Sequence, residues 1–512
     1  LFHAANALLC FLLIERLLRL ARPGDDDRLR RLAAAAGALF FSIHPLRVES
    51  VAWITERRDV VSGLFVLATV LAYLRMGASP PGSAARRQSY ALTLGLFVLS
   101  LLCKPTGMTL PLALLILDVY PLRRTATEKR STILIEKLPF LALMIGAAVL
   151  TSITLRHANA FHSIEGYPLA QRLTQPGYRV SFYLFKTLVP LSLSPLYLYR
   201  PEIGWPQLAG WIVVAAITTL VLLRRRRAPA AAAAWLAFGA LIAPVSGLFQ
   251  AGLHFAADRY TYLPGLPFAA LLGGALLALA PRIPRPALIS VAGAVLVALA
   301  LLSVRQIRVW RDSMTLWDHA IALDPGSYLA FNNRGTARAE RGDSEGAMRD
   351  YDASIAIRPD WEKPWNNRAI ERAKQGDHAG AVEAFTRSLA IQPEQTDAYG
   401  YRAISRIKTG DLAGARADLD EALRRRPEAP YYLKRATLRG IAGDLDGVIS
   451  DCNEALKLKP ESPDALTSRG MARLQKRDPA GVRDLEQALR VAPPDWPQRA
   501  QFEKILRSLQ PR

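Results

Sequence analysis

HPLRVESVAWITERRD, residues 44–59, is a charged island in an apolar half of the chain, with LAAAAGALFFSI (32–43) before it and VVSGLFVLATVLAYL (60–74) after it. Arg47, Glu49, Glu56, Arg57, Arg58 and Asp59 are too many charges for a helix face turned to lipid. Pro45 suits a first helical turn, where its missing N–H costs nothing. Continued at helical period, Glu49, Trp53, Glu56 and Val60 fall within about a third of the circumference. The expectation is a carboxylate–indole–carboxylate face at a membrane surface, with three arginines on other faces. The plainer alternative is a solvated connection whose arginines anchor the interface. The rest of the chain decides between them.

Of 65 basic and 44 acidic side chains, residues 1–310 hold 32 and 13, so nearly the whole excess of +21 belongs to the apolar half. Basic loops beside hydrophobic runs mark a membrane protein and its anionic lipid surface, and they exclude a nucleic-acid binder. Cys10, Cys103 and Cys452 stand in neither metal nor disulfide spacing. The chain opens on LFHAANALLCFLLIERLLRL, without Met or a basic flank. That opening is expected of a fragment rather than of a signal peptide or a natural start.

Apolar runs recur at about 1–20, 32–43, 60–75, 90–103, 105–119, 133–155, 178–194, 208–223, 231–250, 264–280 and 287–303. Several fall short of the roughly 20 residues a straight span wants. Arg16–Arg31, Arg75 with Arg86 and Arg87, and Arg123–Arg130 follow every second run and read as cytoplasmic. A full crossing by 178–194 would put Arg224–Arg227 outside, so that run, with Lys186 and Pro190, is expected to be re-entrant or interfacial. Four polar clusters then share the external face: His44–Asp59; Lys104-Pro105-Thr106; Arg156, His157, His162, Arg172 and Arg179; and His254, Asp258, Arg259, Tyr260 and Tyr262. Cations beside aromatics and carboxylates at that depth suit a phosphate-bearing lipid with a polar head. No nucleophile elbow, P-loop or zinc signature competes.

From residue 326 a period of 34 takes over. The units are 326–359, 360–393, 394–427, 428–460 and 461–493, each closing on Pro359, Pro393, Pro427, Pro460 or Pro493. Gly-Asp recurs at the inner turn, from Gly342-Asp343 to Gly443-Asp444. Small residues follow where two helices must approach closely. These are tetratricopeptide repeats, preceded by a degenerate leading repeat or connecting helix over 304–325 and closed by a capping helix over 494–512. Arg334, Arg368, Arg402, Arg435 and Arg469 hold one position, and Asp350, Asp418, Asp451 and Asp484 recur in the second helices. Ion pairs within the repeats account for both columns better than an arginine ladder for a ligand. Leu329, Asn332, Lys363, Asn366, Asp397 and Lys408 fall where first helices face the groove, mixed polar residues that fit loose recognition of protein acceptors.

HPLRVESVAWITERRDV, LLCKPTGMTLPLALLILD, GLHFAADRYTYLP and WRDSMTLWDHAIALDP ahead of repeats together resemble the transmembrane and tetratricopeptide-repeat O-mannosyltransferase family of the GT-C glycosyltransferases. The resemblance covers essentially the whole chain. It implies an all-α architecture: a polytopic transmembrane helix bundle over 1–303, then a repeat superhelix. It also implies transfer of a sugar, mannose in the animal members, from a polyprenyl-phosphate donor to Ser/Thr hydroxyls outside the cytoplasm, with the repeats holding the acceptor. The Ala- and Arg-rich composition points to a bacterial inner membrane with periplasmic repeats; in a eukaryote the counterpart is the endoplasmic-reticulum membrane with lumenal repeats. LFHAANALLCFLL resembles the family's second span, so the first external loop, where the family keeps its catalytic acid, precedes this chain and the catalytic residue is unassigned. What matches is the supporting shell: Glu49, Arg57, Arg58, Asp59, Lys104, His254, Asp258 and Arg259. Lys104 and Arg259 are assigned to donor phosphate, and Glu49 or Asp258 to sugar or acceptor hydroxyls. No cofactor is identified, no metal ligands are assigned, and a divalent-metal requirement is left open. Two other classes compete: a non-catalytic membrane-anchored scaffold for cell-envelope complexes, and a polysaccharide ligase or transporter using lipid carriers.

Overall fold

Alternation of apolar runs with short charged turns dictates a string of hairpins, and the chain folds as one. The computed structural model describes residues 1–157, 169–198, 204–247 and 254–509. These are almost entirely helical and form two compact units, Leu1–Leu323 and Asp324–Arg512.

In the first unit, α1 (Phe2–Ala21) and α2 (Asp27–Ile43) form a hairpin. His44 then turns extended, and its imidazole accepts from the Leu46 N–H at 3.3 Å, so Pro45 opens a single 3-10 turn. Helix α3 (Val48–Ala52) stops at Trp53 (φ −82°, ψ 108°), a second 3-10 turn covers 54–56, and α4 runs Arg57–Ala78. The expected continuous helical face is therefore broken at Trp53. Next come α5 (Ala84–Cys103), α6 (Leu110–Val119), α7 (Arg124–Thr127) and α8 (Arg130–His157). The run expected to be re-entrant or interfacial ends a helix, α9 (Leu169–Leu188), followed by irregular chain and strand β1 (Tyr197–Leu198). Lys186 fixes that exit, its Nζ donating to the carbonyls of Leu191 (2.7 Å) and Ser192 (3.1 Å). Then follow α10 (Trp205–Leu223), α11 (Pro229–Ile242), β2 (His254–Ala256), antiparallel to β1, α12 (Gly265–Leu279), α13 (Arg285–Val309) and α14 (Ser313–Leu323). Helix α13 runs straight through position 303, and α14 belongs to this unit, where its His319 hydrogen-bonds the Leu193 carbonyl at 2.9 Å.

Cys10, Ile14, Phe41, Leu67, Tyr73, Phe97, Leu114, Phe140 and Tyr262 share one core. Helices α2 and α12 cross closely because Gly37 is bare: a Cβ there would lie 2.5 Å from the Ala269 carbonyl oxygen. Among the described residues four helical stretches are long and apolar enough to cross a membrane, Ile54–Ala78, Arg130–Thr154, Trp205–Leu223 and Arg285–Val309, and three shorter apolar ones accompany them. Turns 79–83 and 120–129 lie at one end of the unit. There Asp118 accepts from Tyr73, Arg124 (2.9 Å) and Lys137 (2.7 Å), while Glu128 and Glu136 take Arg86. Arg86 and Arg124, counted above among the basic loops read as cytoplasmic, are buried and paired.

The second unit stacks helix pairs: α15 (Tyr328–Glu340) with α16 (Ser344–Ile357), α17 (Glu362–Lys374) with α18 (His378–Ile391), and α19 (Thr396–Thr409) with α20 (Leu412–Arg425). Then α21 (Ala429–Ile441) joins α22 (Leu445–Leu458), α23 (Pro463–Gln475) joins α24 (Ala480–Val491), and α25 (Arg499–Leu509) closes the array. The Gly-Asp signature is a turn with a mechanism. Gly342, Gly376, Gly410 and Gly443 take φ between 76° and 87°, and each following Asp caps the next helix by accepting from a backbone N–H at 2.8–2.9 Å. The arginine column is structural. Arg334, Arg402, Arg435 and Arg469 pair with Asp350, Asp418, Asp451 and Asp484 at 2.6–2.7 Å. Three of these arginines also reach the repeat before, at Thr386, Asp420 and Asn453. In the second repeat Ala384 holds the aspartate's place, and Arg368 pairs back to Asp352 at 2.9 Å.

Candidate functional site

At the end of the first unit opposite the Asp118 cluster, polar segments far apart in sequence meet. Glu49 on α3 is buried, and it accepts both the Arg259 backbone N–H at 2.8 Å and the Arg259 guanidinium. Arg259 Nε lies 3.6 Å from Glu56 Oε1. Glu56 Oε2 in turn lies 2.5 Å from Lys104 Nζ, and Lys104 reaches Asp59 Oδ1 at 2.8 Å. The result is a row of alternating sign, Glu49–Arg259–Glu56–Lys104–Asp59, drawn from three separate turns. Arg259 is sandwiched between the faces of Trp53 and Tyr260, 5.3 and 5.0 Å away, and Trp53 stacks near Trp310 with centroids 6.0 Å apart.

Why the row forms here follows from what backs it. Arg47 is buried beneath it, packed on Phe41 and Tyr262 and donating to Thr261 Oγ1 at 3.1 Å. Gly265 makes room for that guanidinium, since a Cβ there would fall 2.1 Å from Arg47 Nη2. The β1–β2 pairing carries Tyr197 to Asp258, whose Oδ1 accepts the phenol at 3.0 Å. Asp258 is fully buried; burial first, and then the nearby Glu49 charge, holds its carboxyl well above the usual range and favours its protonated form. Burial likewise raises Glu49, against the pull of Arg259. His44, also buried, is pushed down to about 3 by desolvation and then by Arg47. It is therefore the neutral ring, its Nε2–H directed to the Thr187 carbonyl at 3.0 Å.

Of the residues assigned to the donor, the fold brings together Glu49, Asp59, Lys104, Asp258 and Arg259. Lys104 and Arg259 are not free cations, because carboxylates already neutralise both. Arg57 and Arg58 lie on the exposed side of the first turn of α4, with no ion pair among the described residues. The backbone of His254 lies in β2, but its side chain, like those of Arg156 and His157 and the whole of His162, falls outside the described residues. Arg179 packs its guanidinium 5.2 Å over Phe255. Sequence reasoning missed Glu56 as the bridge between both cations, and Arg47 and Tyr197 as supports. Glu56 stood in the quoted motif, whereas Tyr197 depends on a pairing across 61 residues.

One hollow adjoins the row and a second lies elsewhere in the bundle. A small one of ≈ 20 Å³, room for about one water, is lined by Asp59, Thr106, Arg259 and Tyr260, and the Asp59 Oδ2 atom is buried without a hydrogen bond. Leu241 separates it from an apolar cleft of ≈ 450 Å³ between α1, α4, α6, α11 and α12, walled by residues such as Leu17, Val66, Leu110, Ala234 and Leu266, with Arg22 and Arg227 also on its lining. Among the described residues no group of three His, Cys, Asp or Glu side chains is placed to hold a metal ion.

The acceptor positions fare unevenly. Asn332 is buried and bonded to Asn367 (3.0 Å), so it is a link between repeats and not a groove contact. Asn366 faces Gln395 at 3.4 Å, and Asp397 is taken by Arg426 at 2.6 Å. Leu329 is half-buried, while Lys363 and Lys408 are exposed.

Residues 372–437 match the family model described as tetratricopeptide repeat. A search of curated proteins finds no match. Among solved structures the chain is similar to YrrB, titled a TPR protein with an unusual peptide-binding site (16% identity, 37% of this chain and 97% of that one, TM-score 0.32). It is also similar to PilW, a type IV pilus biogenesis factor (18%, 39% and 91%, TM-score 0.34), and to MamA from Desulfovibrio magneticus RS-1 (19%, 32% and 94%, TM-score 0.31). The family match and the recurring helix pairs make the second unit a tetratricopeptide-repeat array, a fold that serves protein–protein interaction.

Proposed function

We propose that the chain is a membrane glycosyltransferase that moves a sugar, mannose on the family resemblance, from a polyprenyl phosphate to Ser/Thr hydroxyls of proteins held by the repeats. The observation that carries the reading is the alternating row at one end of an apolar bundle that also holds an apolar cleft. Departure of a polyprenyl phosphate leaves negative charge on phosphate oxygens, and preorganised cations in a site shielded from water stabilise it. Glu56, between Arg259 and Lys104, occupies the position an anion takes there. A donor phosphate exchanges with that carboxylate. Asp258, its carboxyl raised by burial, hydrogen-bonds a sugar or acceptor hydroxyl, while Glu49 keeps Arg259 in place. The site faces the periplasm in this reading.

The experiment is transfer of label from polyprenyl-phosphate [³H]mannose to protein by membranes containing the protein. Lys104→Ala and Arg259→Ala are each expected to lower turnover at least tenfold, the size of a charge-assisted contact of roughly 1.5–3 kcal/mol. Wild-type turnover in both variants refutes the assignment. A second reading, a membrane-anchored repeat scaffold without chemistry, is favoured by one observation: both cations are already neutralised by carboxylates. It predicts that neither variant changes anything but stability.

A further inference from the structure

PAAAAAWLAFGALI, the sequence of α11, has little bulk on the side it turns to the apolar cleft. Ala230, Ala234 and Ala237 recur there at helical spacing, and α12 presents Ala270, Gly274 and Ala278 to the same hollow. Small side chains on two neighbouring helices leave the gap. Larger ones from α1, α4 and α6 form its other walls, Leu17, Val70 and Leu117 among them. The hollow holds ≈ 450 Å³, far more than a close-packed interior leaves empty. Water gains no hydrogen bonds from such walls, so an apolar ligand suits it better.

Length and charge decide which ligand. From Leu266 to Ala278 the α12 wall rises about 18 Å, close to the roughly 15 Å of hydrocarbon in one leaflet. One acyl chain of a glycerophospholipid fits that depth, whereas a polyprenyl chain is much longer. The lining also carries Arg22, next after α1, Tyr120, next after α6, and Arg227, just ahead of α11. All three lie at the end of the unit that holds the Asp118 cluster, away from Lys104 and Arg259. Asp25 offsets Arg22 in part, at 2.7 Å. Arg227 is exposed, as are Arg224, Arg225 and Arg226 beside it, and none of the four has an ion pair among the described residues. Cations at the rim of an apolar groove suit an anionic headgroup above its acyl chain.

We propose that the cleft binds one anionic glycerophospholipid, phosphatidylglycerol in kind, with an acyl chain along α11 and α12 and its phosphate at Arg22, Tyr120 and Arg227. The headgroup lies in the leaflet opposite the charged row, so this lipid is not the donor. By filling the gap it ties α11 to α1, α4 and α6. This binding rests on the proposed membrane placement of the first unit and not on the transfer reaction.

The test is native mass spectrometry of the full chain in detergent, with dioleoyl phosphatidylglycerol and dioleoyl phosphatidylcholine added in equal amounts. Wild type is expected to retain one phosphatidylglycerol per chain and to prefer it at least about tenfold. The doubly substituted Arg22→Gln, Arg227→Gln chain is expected to lose that preference and to fold, since neither side chain is buried. Ala234→Trp fills the cleft and is expected to retain neither lipid, with far-UV circular dichroism as the check on its fold. Arg31→Gln, which removes an exposed arginine outside the cleft, is expected to bind as wild type does. The proposal is overturned if wild type retains neither lipid or both alike, if the preference survives the double variant, or if a folded Ala234→Trp chain still holds the lipid. It is overturned equally if Arg31→Gln abolishes the preference, which would make it an effect of surface charge, or if polyprenyl phosphate displaces the phosphatidylglycerol, which would give the cleft to the donor. A chain that holds phosphatidylglycerol in this way but binds no polyprenyl phosphate sustains the proposal and sinks the transferase reading alone.

Discussion

Removing the Arg259 side chain tests the site's construction. In Arg259→Met the apolar stem is retained and the guanidinium lost, so Glu49, 1% exposed, keeps only the backbone N–H of residue 259 at 2.8 Å. Breaking a buried ion pair from one side costs about 3–5 kcal/mol. Glu49→Gln is milder, at about 1–3 kcal/mol, because the amide still accepts and Arg259 still has Glu56 at 3.6 Å. The double variant leaves no stranded charge, so it is expected to be more stable than the sum of the singles by at least about 1.5 kcal/mol. The linkage has a definite sign. A carboxyl raised in the native state stabilises the fold below its unfolded titration range and loses that contribution as pH rises through the native value. Glu49 is already raised by burial and rises further without Arg259, so the Arg259→Met deficit should be smaller at pH 5 than at pH 8. The assay is unfolding in mixed micelles by SDS titration, read by far-UV circular dichroism and by the fluorescence of Trp53 beneath Arg259. Additive single variants, or a deficit in Arg259→Met that grows at low pH, refute the reasoning.

Three further outcomes follow from the same contacts. Gly265→Ala drives a methyl into Arg47 and is expected to destabilise the first unit by about 1–3 kcal/mol, measured by the same titration. Asp418→Asn, which weakens bonds to both Arg402 and Arg406, is expected to lower the melting temperature of the repeats more than Asp352→Asn, whose carboxylate is 53% exposed; equal shifts would contradict the structural role of the buried aspartates. In a chain with Cys10, Cys103 and Cys452 replaced by Ser, an impermeant thiol reagent is expected to label Thr55→Cys and Glu345→Cys from the periplasmic side and Arg226→Cys only after permeabilisation. Labelling of Arg226→Cys in intact cells inverts the proposed orientation.

The repeats were legible because their information is local. A 34-residue period, Gly at a positive-φ turn and Asp at a helix cap each act within a few residues, and the recurrence of Arg and Asp at fixed spacing announced their pairing. The repeat that lacks the aspartate, with Ala384 in its place, leaves Arg368 to a backward pair with Asp352. The site was legible in its members and not in its wiring. Glu49, Lys104 and Arg259 could be picked from charge in an apolar setting. That Glu56 neutralises both cations depends on a break at Trp53 that turns α3 away from α4, and helical periodicity cannot foresee a break made without proline or glycine. Tyr197 and Arg47 were hidden for a different reason: each contacts a residue more than sixty positions away, through pairing that single-segment patterns do not carry. Asn332 was misjudged because a groove position in one repeat became a link to the next.

The most direct measurement is binding of polyprenyl phosphate to the chain in lipid nanodiscs by native mass spectrometry, with polyprenol lacking the phosphate as comparison. The account predicts one phosphate-bearing lipid retained per chain, little retention of the alcohol, and loss of the difference in Lys104→Ala and Arg259→Ala. Equal retention of the two lipids, or a preference for the phosphate that survives both substitutions, would contradict it.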